Sequence, residues 1–143
     1  MGLKVYLAGR VKGLDDEGRG WREDVVKQLE AIAEWNGKKI EIFDPTKYFS
    51  YSDKRHKTVR QIKEYYMNRL SKCDIMLLNC NDTEYSIGTA QEVQFAVDHN
   101  IPVIGFGTTN MYNWIATSIA RSFLAAWLKR RTIFETFIFE EVL

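Results

Sequence analysis

Apolar residues along this chain do not keep one period. Short continuous apolar runs alternate with stretches in which the apolar positions recur every three or four residues. That alternation constrains the fold more than any other feature. A short run bounded by turn residues suits a strand buried on both faces, and a 3.6-residue period suits a helix with one face on a core. Lys4-Val5-Tyr6-Leu7-Ala8 is the first strand-like run and stops at Gly9. From Trp21 the apolar positions Trp21, Val25, Leu29 and Ile32 follow helical spacing, and Asn36-Gly37 ends that helix. Asp15, Asp16 and Glu17 stand just ahead of it, where acidic side chains suit a helix start. Ile40-Glu41-Ile42-Phe43 predicts a second strand, closed by Asp44-Pro45.

A charged stretch over residues 46–60 predicts a long loop feeding a helix over 59–70. Asp74-Ile75-Met76-Leu77-Leu78-Asn79 is the strongest strand signal. A loop over 81–86 and a helix over 89–98 follow, then a fourth strand, Pro102-Val103-Ile104-Gly105-Phe106. A long helix over 112–129 and a fifth strand within 132–142 complete the reading. Strand–helix alternation of this kind implies parallel strands joined by crossovers: an α/β, flavodoxin-like or Rossmann-like doubly wound sheet of four or five strands, with helices on both faces. A chain of 143 residues suits one such domain, 1–143. In such sheets ligands bind beyond the carboxyl ends of the strands, near the reversal of strand order. The loops at 9–20, 79–89 and 105–113 converge there.

Composition removes several classes. Lys and Arg number 20 against 19 Asp and Glu, which excludes reading the whole chain as a basic binder of nucleic acid polymers. No apolar run reaches the ~18–20 residues of a membrane span, and residues 1–9 lack the pattern of a signal peptide, so the expected setting is cytoplasmic, with no membrane partner. Cys73 and Cys80 form neither a disulfide framework nor a metal-type pair, and with only His56 and His99 no metal or other cofactor is implied. Both cysteines flank the strongest strand and suit packing. His56 sits in the charged loop, and His99 near a helix end. Trp114, Phe123 and Trp127 suit core or subunit interface.

Two loops carry candidate chemistry. In Gly9-Arg10-Val11-Lys12-Gly13 the glycines allow close backbone approach, and the following helix start favours anions. Arg10, Lys12, Arg19 and Arg22 add positive charge. This is either a cradle for a phosphate or a flexible turn with solvated basic residues; it has neither the dinucleotide nor the Walker spacing. In Ser86-Ile87-Gly88-Thr89-Ala90-Gln91-Glu92, Gly88 permits a tight turn and Thr89 suits a cap. Glu92 then falls in the first turn, where the helix dipole favours an ionised carboxylate able to attack an anomeric carbon. The competing reading makes Glu92 the partner of Thr89 in an ordinary capping box.

Four segments, in order, resemble the nucleoside 2-deoxyribosyltransferase superfamily: Val5-Tyr6-Leu7-Ala8-Gly9-Arg10, Cys73-Asp74-Ile75-Met76-Leu77-Leu78-Asn79, Ser86 through Ala96, and Pro102-Val103-Ile104-Gly105. The resemblance spans about residues 4–114. It implies that Glu92 is a nucleophile that expels the base of a nucleoside or nucleotide and forms a glycosyl-enzyme, resolved by water or a second base. It implies that Tyr6 orients Glu92. Ser86, where transferase members carry an acidic residue, and Lys12 in the first loop match the branch that hydrolyses nucleoside 5′-monophosphates. From their loops Gly9, Arg10, Gly13, Asp82 and Gly88 are expected to contact the substrate. Asn110 resembles the residue that a neighbouring subunit contributes, and a homodimer or higher homo-oligomer is implied. Where many members carry an aspartate near the base, this chain has Tyr66, a phenol that can donate a proton but is a poor base; Asp82 or Glu84 could substitute. Two rivals follow: a catalytically silent nucleotide-binding or sensor protein on the same scaffold, and a flavodoxin-like redox or signalling domain. The first loop lacks the Ser/Thr-rich phosphate site that flavin would need.

Overall fold

The computed structural model describes residues 2–48, 58–81, 83 and 86–107. The expected helix over 112–129, the expected fifth strand, His56, Asp82, Glu84 and Asn110 lie outside the described residues. The order is β1 (Leu3–Ala8), α1 (Arg19–Trp35), β2 (Ile40–Phe43), a 3-10 turn (Pro45–Lys47), α2 (Val59–Ser71), β3 (Ile75–Asn79), α3 (Ile87–Asp98) and β4 (Val103–Phe106). The strands stand in the order β2-β1-β3-β4, and every pairing is parallel. Val5 faces Ile75 across β1 and β3, and Met76 faces Val103 across β3 and β4. This is the flavodoxin-like arrangement, with its reversal between β1 and β3.

Strand alternation sorts the core into two layers. Leu3, Val5 and Leu7 of β1, with Ile75, Leu77 and Ile104, meet Val25, Leu29, Ile32 and Ala33 of α1. Tyr6, Ala8, Met76 and Leu78 point the other way, onto Leu70 of α2 and Val93 and Ala96 of α3. Every residue of β3 is buried, as a central strand covered on both faces requires. β2 is an edge strand and buries only Phe43 fully. Among the described residues no helix is long and apolar enough to cross a membrane.

Two helix starts depart from the expected positions. α1 begins at Arg19, two residues before Trp21, after Gly18 in the left-handed region with φ 73°. Asp16 serves it from the loop: its carboxylate accepts from the Gly18 and Gly20 amides at 2.8 and 2.9 Å, and those bonds lower its pKa. α3 begins at Ile87, two residues early, and Ser86 is its cap, accepting from the Thr89 amide at 3.3 Å. Thr89 is therefore inside the first turn, and its hydroxyl pairs with Ser86 Oγ at 2.7 Å. The Thr89–Glu92 capping box does not form. α2 has its own, unforeseen in the sequence, between Thr58 and Gln61.

Candidate active site

The carboxyl ends of β1, β2 and β3 open on a cavity of about 420 Å³. Gly9, Val11 and Lys12 line it from the first loop, Arg22 from α1, and Pro45 and Thr46 from the 3-10 turn. α2 contributes Val59, Ile62, Lys63, Tyr66 and Met67; the start of α3 contributes Ser86 to Thr89, Gln91 and Glu92. Phosphate-sized anions suit the α3 end, where first-turn amides lack helical partners. An apolar wall from α2 faces it.

Glu92 lies in the second turn of α3, not the first, because the helix starts at Ile87. The residue is half-buried, and its Oε2 is sealed from solvent with no hydrogen-bond partner. Burial pushes its carboxyl up to about 7, against the opposing pull of Tyr6 and Arg22. The expected dipole-held carboxylate is thus corrected: desolvation outweighs the field of a helix end, which fades within one turn. Tyr6 is fully buried in β1, beneath Phe43 at 5.3 Å between ring centres. Its hydroxyl lies against Glu92 without completing a well-directed hydrogen bond, and burial, then the nearby Glu92 charge, raise its pKa far above the usual phenol value.

Tyr66 lines the cavity from α2, and its hydroxyl donates to the Pro45 carbonyl at 2.8 Å. Burial and Glu92 raise its pKa, so it holds its proton at neutral pH. Gly9 is pressed under Trp21: a Cβ there would stand 2.7 Å from Trp21 Cζ2. Gly88 does not form the expected tight turn. It lies inside α3, and a Cβ would meet nothing within 4 Å. Arg10 turns back to donate to the Lys12 carbonyl at 3.0 Å, and neither Arg10 nor Gly13 lines the cavity. Arg19 pairs with Glu17 at 3.0 Å.

In sequence Arg22 counts with the basic residues of the first loop, as part of a phosphate cradle or as solvated charge, and Asp44 only closes β2. Both are buried, at 1% and 3% exposure, with Arg22 Nε 3.7 Å from Asp44 Oδ1. The helical period held the signal: Arg22 falls next to Trp21 and three before Val25, on the core-facing side. Among the described residues no group of three His, Cys, Asp or Glu side chains could hold a metal ion.

The family model described as Nucleoside 2-deoxyribosyltransferase matches residues 5–122. Among solved structures the chain is similar to a conserved protein from Enterococcus faecalis V583, with a TM-score of 0.57, 19% identity, and coverage of 79% of this chain and 70% of that one. It is similar also to a 2-deoxyribosyltransferase from Bacillus psychrosaccharolyticus, with a TM-score of 0.56, 17% identity, and coverage of 81% and 82%. A third is the 2-desoxiribosyltransferase from Leishmania mexicana, with a TM-score of 0.54, 21% identity, and coverage of 75% and 65%. No curated protein matches the chain in sequence. The likeness to these structures extends to the fold.

Proposed function

The chain belongs to the nucleoside 2-deoxyribosyltransferase family, and on that premise we propose that it cleaves, or transfers across, the N-glycosidic bond of a nucleoside 5′-monophosphate or nucleoside. The observation that carries the reading is Glu92: a carboxylate on the wall of the cavity at the reversal of strand order, backed by Tyr6 and facing Arg22.

In the first step a Glu92 oxygen attacks the anomeric carbon. The bond from that carbon to the base nitrogen breaks, and its electron pair leaves with the base, which takes up a proton. The product is a glycosyl ester of Glu92. In the second step water, or the nitrogen of another base, attacks the same carbon and returns the electron pair to the carboxylate; the attacking group loses a proton. Two displacements retain configuration. Tyr6 steadies the ionised nucleophile. For Tyr66 to give the departing base its proton, its hydroxyl must leave the Pro45 carbonyl.

Support for a phosphorylated substrate is that Lys12, Ser86 and the start of α3 line the same cavity. A charge-assisted contact from Lys12 is worth about 1.5–3 kcal/mol, so Lys12→Ala raises KM for a monophosphate roughly ten- to a hundredfold while kcat changes less. No cofactor enters this reading, and a second copy of the chain is the expected partner. The engaged hydroxyl of Tyr66 favours one rival, a silent nucleotide-binding or sensor protein on the same scaffold. Incubation with a panel of nucleosides and 5′-monophosphates, with chromatography for free base, separates the two. Release by the wild type and none by Glu92→Ala supports the enzyme; tight binding without release supports the silent binder.

A further inference from the structure

Arg22 is buried more completely than any surface role allows, yet its charge is only loosely answered. Its Nη1 donates to the Gly18 carbonyl at 2.9 Å and its Nη2 to the Gly9 carbonyl at 3.0 Å, so one side chain grips both ends of the first loop. Its Cζ lies 4.3 Å from the centre of the Trp21 ring. The third guanidinium nitrogen, Nε, is sealed from solvent and has no hydrogen-bond partner. Asp44 Oδ1 stands 3.7 Å away, beyond hydrogen-bond reach, and already accepts from the Thr46 amide at 2.9 Å and the Thr46 hydroxyl at 2.7 Å. A guanidinium built for a buried ion pair would make short, paired contacts with its carboxylate. Here Asp44 is committed to Thr46 first and neutralises Arg22 from a distance.

Arg22 borders the cavity of the candidate site. Arg22 and Glu92 line it together, and three buried side-chain atoms lack partners among the described residues: Tyr6 Oη, Arg22 Nε and Glu92 Oε2. The charged and titratable groups that bear on Glu92 are Tyr6 from β1, Arg22 from α1 and Tyr66 from α2. Lys12 and Lys63 line the same cavity from the first loop and from α2, and Asp44, at the end of β2, acts through Arg22.

We propose that Arg22, which grips both ends of the first loop and shares the cavity wall with Glu92, is a positioning residue for that site, and that Asp44 sets how much of the Arg22 charge Glu92 receives. The proposal rests on the reading of Glu92 as nucleophile. It predicts opposite effects from two neighbours. Asp44→Asn keeps an oxygen for Thr46 but removes a negative charge, so Arg22 acts on Glu92 undiluted and Glu92 ionises more readily. Arg22→Gln removes the cation, and Glu92 ionises less readily. A purely structural pair would damage the site in one direction only.

The test is a carbon-13 titration of the glutamate carboxyls in the full chain, with the Glu92 signal assigned by its loss in Glu92→Gln. The Glu92 midpoint moves down by about one pH unit in Asp44→Asn and up by about one in Arg22→Gln; Arg22→Lys, which keeps the charge, returns it towards wild type. Where Arg22→Gln does not fold, Asp44→Asn and Arg22→Lys carry the comparison. Shifts of one sign in Asp44→Asn and Arg22→Gln, or an unmoved midpoint in Asp44→Asn, overturn the proposal. Base release is measured on the same samples. Separated midpoints without any base release leave the charge coupling standing and remove the nucleophile reading. Base release with unseparated midpoints does the reverse.

Discussion

Glu92 holds its place at a cost to the fold. With a carboxyl near 7 in the folded chain and an ordinary value unfolded, the folded state binds the extra proton between about pH 4.5 and 7. Stability therefore falls as pH rises through that window, and the whole penalty is present above 7. Glu92→Gln removes the titration. It is expected to unfold like the wild type near pH 4 and to be more stable by about 1–3 kcal/mol at pH 8, read from urea unfolding at the two pH values. On the proposed reaction the same carboxyl is expected to set an acid limb near pH 7 in any base release, measured as rate against pH. The two glycines of the site make a second contrast. Gly9→Ala drives a methyl into the Trp21 ring and costs about 1–3 kcal/mol. Gly88→Ala meets no atom and gains a helix former, so stability holds or rises by about 0.5–1 kcal/mol while the methyl takes cavity space and weakens ligand binding. Calorimetry of both variants checks this. Sequence pattern named both glycines but gave Gly88 the wrong reason, because two residues of error in a helix start convert a turn into a first turn.

At the scale of elements, α3 is the segment on which the site depends, and its start was the least legible part of it. Its capping residue and its proposed phosphate contact are the same side chain, Ser86. The two roles separate by substitution. Ser86→Ala loses the cap and about 1 kcal/mol of stability. Ser86→Asp keeps a good cap, so thermal unfolding stays near wild type, yet its charge repels a monophosphate while leaving an unphosphorylated nucleoside acceptable. Unchanged handling of both substrates in Ser86→Asp would make Ser86 a cap and nothing more. The strands were readable almost to the residue: β3 and β4, whose burial leaves a continuous apolar run, each begin one residue later than expected, and the edge strand β2, closed by Asp44-Pro45, is found where expected. The start of α2 was found at Val59 as expected, but that of α1 was not, because Asp16 reaches it from the loop rather than from the capping position. Burial of Asp44 left no local signal, and that of Arg22 only its place on the core-facing side of α1, since charged residues are read as surface until a tertiary partner is known.

For the molecule as a whole, the strand order follows from alternation and crossover rules, whereas the lining of the cavity depends on five separate segments meeting, which no local pattern encodes. The two thiols offer a global probe of that assembly. Cys80 is buried and Cys73 half-buried on the α2–α3 side of the sheet, and burial pushes both thiols up to about 11. At pH 8 both remain protonated and slow towards a disulfide reagent. Their modification is expected to track urea unfolding, both rising together with the loss of far-ultraviolet helix signal. Fast reaction of either in native conditions would show that this layer opens independently of the sheet.

The grip of Arg22 on Gly9 and Gly18 also has a bearing on how such a chain diversifies. Both anchors are backbone carbonyls, which no substitution at positions 9 or 18 removes. Residues 10–15 are thus a cassette between fixed clamps, with Asp16 kept for the start of α1. Changes of length and charge within the cassette are expected to leave the clamp intact, so that Lys12, at the cavity wall, can be varied apart from Glu92.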